Sequence, residues 1–393
     1  MKLLVVLSRV PWPLDKGDKL RAYHQIKQLS INHEIELIAL NDKDLHKDAL
    51  AELSKYCQEI HVLNLSKWGI IINIIKAFLT GKPLQIGYFY NLGVHRKIKN
   101  IIQQYKPDHI YGQLVRVAEY IRYESVPKTL DYQDALSAGL KRREERVGGL
   151  KRLLFSFEYK SLAKYEAAIF DDFNHKTIIT SQDQELIQHA ERAKITVVPN
   201  GVDMAFFHPM DAEKTYDLVF TGNMNYPPNV MAANFLVNDI LPLVQKEKPD
   251  ARVLIAGASP HPSVRALASE SVTVSGWLDD IRVAYSSSKL FIAPMQIGTG
   301  LQNKLLEAMA MKIPSVTSDL ANAALGAKEN TEIKVAKSQD KEAFAAYVLE
   351  LLNNSEIATQ QSDAAHQFVQ QNYSWESSVK TLEELLLSSK AST

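Results

Sequence analysis

Residues 291–318 read FIAPMQIGTGLQNKLLEAMAMKIPSVTS, and their punctuation decides the fold. An apolar run ends at Pro294 and a turn holding Gly298 and Gly300 follows. From about Gln302 the spacing predicts a helix that carries Lys304, Glu307 and a small-residue face of Ala308 and Ala310. The next run, 314–318, reads as another buried strand. Strand, glycine turn, helix and strand form the repeating unit of a parallel sheet, whose ligands sit at the carboxyl ends of the strands. Free N–H groups at such a helix start attract phosphate, and glycines let an anion approach the backbone. Lys304 adds a point charge there. Glu307 lies three residues further on the same helix face, where a carboxylate can accept hydrogen bonds from two vicinal ribose hydroxyls. Read this way the stretch holds a nucleoside diphosphate; read otherwise it is a glycine turn followed by a surface Lys304/Glu307 pair.

The same grammar extends on both sides. DLVFTG (217–222), ARVLIAG (251–257), VTVSG (272–276) and KLFIAP (289–294) each end a buried run on a small residue or proline. The chain has only 16 glycines, and six of them, Gly201, Gly222, Gly257, Gly276, Gly298 and Gly300, fall within 201–300, each shortly after an apolar run. That placement fits backbone brought close to a ligand, and equally ordinary strand-to-helix turns. In the first half the strand-like runs are 3–7, 35–40, 60–65, 109–111, 129–132 and 177–180, separated by segments of helical period such as 21–30 and 94–105. The fold class is α/β, with parallel sheets.

At 393 residues the chain is long enough for two domains. KITVVPNGVDMAFFHP (194–209) marks the join, giving domains 1–205 and 206–373. The closing amphipathic segment 374–393, with Leu382, Leu385 and Leu386, is expected to pack back on the first domain. Lys+Arg (45) equals Asp+Glu (45), which argues against a generic nucleic-acid binder and against an acidic disordered chain. The balance is uneven along the chain: residues 1–200 hold 30 basic and 23 acidic side chains, and 201–393 hold 15 and 22. The single cysteine, Cys57, excludes an internal disulfide framework and suits a reducing cytoplasm. The opening run MKLLVVLSRVPWP is too short for a signal-peptide core. The longest apolar stretch, 69–80, is broken by Asn73 and Lys76 and falls short of the ~20 residues of a spanning helix. The expectation is a cytoplasmic protein that at most rests on the inner face of a membrane.

NGVD (200–203), the glycine-ended strands and LLEAMAMKIPSV (305–316) resemble the group 1, family-four retaining glycosyltransferases of GT-B architecture. FTGNMNYPPNVMAANFL (220–236) and GTGLQNKLLEAMAM (298–311) resemble the branch associated with exopolysaccharide and cell-envelope glycan assembly. The resemblance implies two Rossmann-like domains facing a central cleft. It implies transfer of a sugar from a nucleotide-diphosphate-sugar donor to the hydroxyl of a glycan or lipid-linked glycan acceptor, with retention, no cofactor and no metal. Glu307 matches the second glutamate of the family's Glu-x7-Glu motif, the ribose ligand; the first falls on Thr299. Gly300, Leu301 and Gln302 match the turn that faces the sugar and β-phosphate, and Lys304 replaces a commonly apolar residue. Gly222 precedes Asn223, and Asn223 and Asn229 stand where many relatives carry Arg and Lys for the diphosphate. Asparagines donate hydrogen bonds but bring no charge, so the load shifts to Lys304 and the helix start. Gly276 and Trp277 match the strand end that meets the base, with a core tryptophan as the other reading of Trp277.

In the first domain, SRVPWPLDKGDKLRAYHQ (8–25) places Gly17 in a loop after the first strand. The resemblance implies that the Gly17 N–H approaches donor phosphate or acceptor and that Asp18 and Arg21 orient an acceptor hydroxyl; a solvated charge cluster is the alternative. The catalytic assignments are therefore Lys304, Gly17 and Asp18. Relatives often carry a histidine just past the strand written here DHIYGQ (108–113); this chain has Gly112 and Gln113, and His109 lies too early. Gln113 and Asp134 are assigned to the acceptor side, with Asp131 and Ser137 beside them, although helix capping also explains Asp134. Residues 51–100 hold seven basic and two acidic residues and include GIIINIIKAFL (69–79), and 140–160 cluster cations around Leu153, Leu154, Phe155 and Phe157. Such stretches fit an anionic membrane interface, or amphipathic core helices with a solvated basic face. Two rival functions remain: a nucleotide-sugar epimerase of the same architecture, and a catalytically silent nucleotide-sugar-binding protein, suggested by Thr299, Asn223 and Asn229.

Overall fold

The structure is a computed structural model and describes residues 1–145, 147–297 and 300–388. The chain forms two compact units: residues 1–199 joined by 378–388, and residues 200–377. The sequence had suggested 205/206 for the join.

The first unit is built on seven parallel strands, β1 (Lys2–Leu7), β2 (Glu34–Asn41), β3 (Glu59–Asn64), β4 (His109–Gln113), β5 (Lys128–Asp131), β6 (His175–Ile178) and β7 (Thr196–Val197), in the order β3-β2-β1-β4-β5-β6-β7. β1 reads KLLVVL with five of its six residues buried, the continuous apolar run of a strand covered on both faces. Leu3 pairs in register with Ile35 on one side and His109 on the other. The strand order reverses between β1 and β4. In open parallel sheets a crevice lies beyond the carboxyl ends of such neighbours, and here the segments emerging into it are 8–16 and 114–116.

The second unit repeats the plan with six parallel strands: β8 (Tyr216–Thr221), β9 (Val253–Ala256), β10 (Val272–Gly276), β11 (Ser288–Ala293), β12 (Ser315–Ser318) and β13 (Lys334–Ala336), in the order β10-β9-β8-β11-β12-β13. Its reversal lies between β8 and β11. The helix Asn303–Ala310 turns Leu305, Leu306, Ala308, Met309 and Ala310 into the core, which leaves Lys304 and Glu307 half-buried on its other side. β13 had no counterpart in the sequence reading. It is three residues long and opens on Lys334, whose amine reaches Glu350 at 2.9 Å instead of water. The last helix, Trp375–Ser388, starts in the second unit and ends in the first. In the first unit it buries Leu382 and Leu386, Ser378 Oγ donates to the Pro199 carbonyl, and Glu383 accepts from Asn32 Nδ2 at 3.0 Å.

The core of the first unit contains a charge pair that corrects one expectation. Arg21, from the helix Gly17–Leu29, has 0 % of its surface exposed and cannot face an acceptor. Its Nε donates to Asp131 Oδ2 at 2.6 Å and its Nη2 to Oδ1 at 3.3 Å. Thr177 Oγ1 and the Gln133 N–H also donate to Oδ1, at 2.9 and 3.3 Å, and the Tyr111 hydroxyl lies 3.0 Å from Oδ2 and 2.8 Å from Gln25 Oε1. Gln113 is buried in the same network, its Nε2 donating to Gln25 Oε1 at 3.3 Å, so it too points inward. Both belong to a polar core because only full pairing offsets the desolvation of a buried guanidinium and carboxylate. Asp131→Ala strands Arg21, and the expected loss of stability is about 3–5 kcal/mol in chemical denaturation. A loss below about 1 kcal/mol would mean the pair does not anchor this unit.

Candidate functional site

In the second unit three neighbouring strands end on glycines with positive φ: Gly222 (145°) after β8, Gly257 (141°) after β9 and Gly276 (70°) closing β10. The bare backbones interlock. Gly222 N–H donates to Ala256 O at 3.0 Å, and Gly257 N–H donates to Gly276 O at 2.9 Å. A Cβ on Gly257 would stand 1.8 Å from the Gly222 carbonyl oxygen, so nothing larger than glycine fits.

Lys304 lies over this edge. A Cβ on Gly222 would meet its Nζ at 3.1 Å and Asn229 Nδ2 at 2.7 Å. The ammonium donates to Asn229 Oδ1 at 2.5 Å and sits 4.5 Å from the centroid of the Phe220 ring. Asn229 is fixed in turn by donating from Nδ2 to the Asn223 carbonyl at 2.9 Å, while Asn223 Oδ1 accepts from the Asn225 N–H at 3.0 Å in a tight turn. The two asparagines thus aim the lysine. Desolvation lowers its pKa to about 7, with Glu307 opposing the shift. An amide has replaced water without supplying a counter-charge, so an incoming anion would find a cation that is poorly neutralised.

Glu307, one helical turn away, is held by a relay. Its Oε2 accepts from the Tyr285 hydroxyl at 2.7 Å, and Thr221 Oγ1 lies 2.8 Å from that hydroxyl and can donate to it. Burial raises the carboxyl's pKa, while the Tyr285 hydrogen bond and Lys304 pull it down. One carboxylate oxygen is therefore committed to Tyr285, and the other is available as an acceptor. Gln302 precedes the 303–310 helix and turns its Nε2 to the Gly300 carbonyl at 2.9 Å, so no side chain caps the first turn. Leu301 packs on the core of the unit. Thr299 and Gly298 lie outside the described residues. Trp277 is exposed, its indole N–H 3.3 Å from Asp279 Oδ1, which removes the core-tryptophan reading. Asp280 accepts from the Arg282 N–H at 3.0 Å and pairs with its guanidinium at 2.7 Å.

In the first unit Gly17 opens the 17–29 helix at an exposed position where a Cβ would touch nothing. Asp18 pairs with Arg9 at 3.0 Å and Lys19 with Asp15 at 2.8 Å. Asp134 lies past β5 at an exposed position, with Asp183, Asp131 and Arg21 as its charged neighbours. Ser137 is structural: its Oγ donates to the buried Glu166 at 2.5 Å. His109 stays within the sheet, 2.9 Å from Thr129 Oγ1.

A cavity of about 720 Å³ opens at the carboxyl ends of β1 and β2, and apart from the charged loop around Gly17 its lining was not singled out in the sequence. Arg9, Lys16, Lys43 and Arg116 line it, with Trp12, Gln85, Tyr88 and Phe89. Arg116 donates from Nε to Gln85 Oε1 at 3.1 Å and lies 5.1 Å from the Phe89 centroid. Desolvation, with Arg9 adding to it, lowers its pKa to about 10. In VRVAEY it is a lone arginine, and only its position just past β4 would have flagged it.

Residues 215–354 match the family model described as glycosyl transferases group 1. An uncharacterized 44.6 kDa protein in the cps region of Klebsiella pneumoniae is 23% identical over 395 residues, covering 95% of this chain and 96% of its own. Among solved structures, sucrose-phosphate synthase from Thermosynechococcus elongatus superposes with a TM-score of 0.71 at 14% identity, covering 100% of both chains. HepE of Anabaena, solved in complex with UDP, gives 0.69 at 13% identity, covering 99% of this chain and 100% of its own. TarM gives 0.71 at 12% identity, covering 98% and 99%. These structures share the fold of this chain, that of the GT-B glycosyltransferases.

Proposed function

We propose, on the premise that the second unit is a group 1 glycosyl transferase domain, that this chain moves a sugar with retention from a nucleotide-diphosphate-sugar to an acceptor hydroxyl in exopolysaccharide or cell-envelope glycan synthesis. The carrying observation is Lys304, lodged over the Gly222 backbone, aimed by Asn229 and short of counter-charge. A diphosphate there gains a fixed cation and the uncapped start of the 303–310 helix. Glu307 keeps one oxygen for the ribose hydroxyls, and exposed Trp277 offers a face to the base. HepE was solved with UDP-glucose, which supports a nucleotide-sugar as the donor class, and the cps-region relative supports a polysaccharide setting.

The bond that breaks joins the anomeric carbon to the β-phosphate oxygen, the bond that forms joins the same carbon to the acceptor oxygen, and the proton of the acceptor hydroxyl leaves with the departing diphosphate. Negative charge grows on the departing diphosphate, so groups that meet it there lower the barrier. Lys304 is that group, and it is in place before the reaction begins. The acceptor, a glycan or lipid-linked glycan, is assigned to the cavity lined by Arg9, Lys16, Lys43 and Arg116, with Gly17 and Asp18 at the adjoining helix start. The setting is the cytoplasm, at the inner face of the cell membrane.

Lys304→Ala is expected to lower kcat by about 10²–10³, measured with the donor that binds. An unchanged kcat would remove the lysine from the reaction. Glu307→Gln is expected to raise the donor KM by about tenfold with a smaller effect on kcat, and an unchanged KM would exclude the ribose contact. Titration supplies a further check. The free-state pKa of Lys304 is lowered to about 7 and a bound diphosphate raises it, so binding takes up a proton above that pH. Affinity is complete below about pH 7 and falls as pH rises toward the bound-state value. Calorimetry near pH 8 in buffers of different ionisation enthalpy should show uptake approaching one proton per nucleotide. No uptake would mean that another group meets the diphosphate.

A further inference from the structure

The helix Lys67–Leu79 inverts the usual rule for amphipathic helices. Trp68, Ile71, Ile72, Ile75, Phe78 and Leu79 follow the spacing of a single helical face, yet that face is turned outward, with exposures from 49 % at Ile71 to 78 % at Trp68. Its rotation is fixed from the inner side. Asn73 Nδ2 donates to the Tyr90 carbonyl at 2.7 Å, and a Cβ on Gly87 would stand 2.6 Å from both Ala77 Cβ and the Asn73 carbonyl oxygen. The two backbones therefore touch, and the helix cannot roll its stripe inward.

A second stripe continues the first. On the helix Gly149–Ala168, Leu150, Leu153 and Leu154 are exposed, Leu150 at 82 %, and Phe157 follows on the same face. The Phe157 ring meets Phe78 with centroids 5.0 Å apart, which joins both stripes into one apolar surface. A contiguous surface of this kind marks an interaction site, whereas scattered apolar residues do not.

Charge selects the occupant. Residues 60–107 contain seven Lys or Arg and no Asp or Glu. Lys67 and Lys76 stand exposed on the first helix, and Lys151 and Arg152 on the second. A second copy would bring cations against cations. At 13 residues the first helix is about 20 Å long, and no described helix is long and apolar enough to cross a membrane. An apolar stripe rimmed by cations on a helix too short to span is the pattern of an element lying in the plane of a bilayer surface.

We infer that the first unit docks on an anionic lipid surface through the joined stripes of the 67–79 and 149–168 helices. Trp68, the isoleucines and the leucines enter the headgroup boundary, and the lysines meet the lipid phosphates. The inference deepens the proposed function and rests on it only for what the docking serves. Ile74, on the inner side of the same helix, lines the cavity that holds Arg116. An acceptor anchored in lipid would thus meet the cavity beside the surface that holds the unit there.

The test is flotation of the full chain with phosphatidylcholine vesicles, with and without phosphatidylglycerol. Recovery with anionic vesicles at low salt should exceed that with phosphatidylcholine alone, or at high salt, by about tenfold. The double variant Ile72→Asp/Phe78→Asp should lose binding by about tenfold or more with unchanged circular dichroism and thermal midpoint. Lys67→Glu/Lys76→Glu, which leaves the apolar stripe intact, should abolish the preference for anionic lipid. No recovery with anionic vesicles, recovery unaffected by the double variant, or a dimer in light scattering that the double variant dissolves would each overturn the inference. Nucleotide-sugar binding, measured by calorimetry on the same preparation, separates the two claims. Binding without flotation overturns the docking alone, and flotation without binding overturns the transferase reading alone.

Discussion

The candidate site depends on one close approach: the Gly222 carbonyl lies so near the Gly257 α-carbon that Gly257 has no room for a side chain. With glycines closing three neighbouring strands, the carboxyl edge of the second sheet presents bare backbone. A lysine from the opposite side of the strand reversal can then lie across it. Asn229 and the Phe220 ring hold the ammonium in place, and neither neutralises it. The result is a cation whose charge is partly suppressed until an anion arrives, which is the condition that makes a fixed charge effective against a developing one. Glu307 is set from the same helix, three residues on, by a tyrosine and a threonine that come from two other elements.

The first unit solves a different problem with similar means. Arg21 and Asp131 tie the first helix to the middle of the sheet, far from solvent. The loop between β1 and that helix is thereby anchored at its far end, and Arg9, Asp15, Lys16 and Lys19 are displayed around the cavity. Charges of similar appearance in the sequence thus divide into one that builds the core and several that face outward. Arg116 joins the outward group from the other side of the strand reversal. Its guanidinium is held by the neutral Gln85, just as Lys304 is held by Asn229. Each unit therefore places a cation at its strand reversal on an amide partner.

Much of this was legible from the amino-acid order, and the reasons differ by element. The strands of both sheets announced themselves because parallel strands covered on both faces must be apolar without interruption. Lys304 and Glu307 stood out because their spacing is local and a turn with two glycines, Gly298 and Gly300, precedes them. β13 was not, being three residues long with a lysine at its start. Arg21 misled because DKGDKLR reads as a solvated cluster, and its partner Asp131 is 110 residues away. Nothing in the sequence tied Tyr285 to Glu307 or Asn229 to Lys304, since each pair is made by tertiary packing. The 67–79 helix was the hardest: its periodicity is the same whether the stripe faces a core or the outside, and only the contact with Gly87 decides.

A structure of the full chain with its nucleoside diphosphate bound tests the central claim most directly. The account predicts the diphosphate within hydrogen-bonding distance of Lys304 Nζ above the Gly222 backbone, with the ribose hydroxyls on Glu307. A nucleotide bound elsewhere, with Lys304 still held only by Asn229, would contradict it.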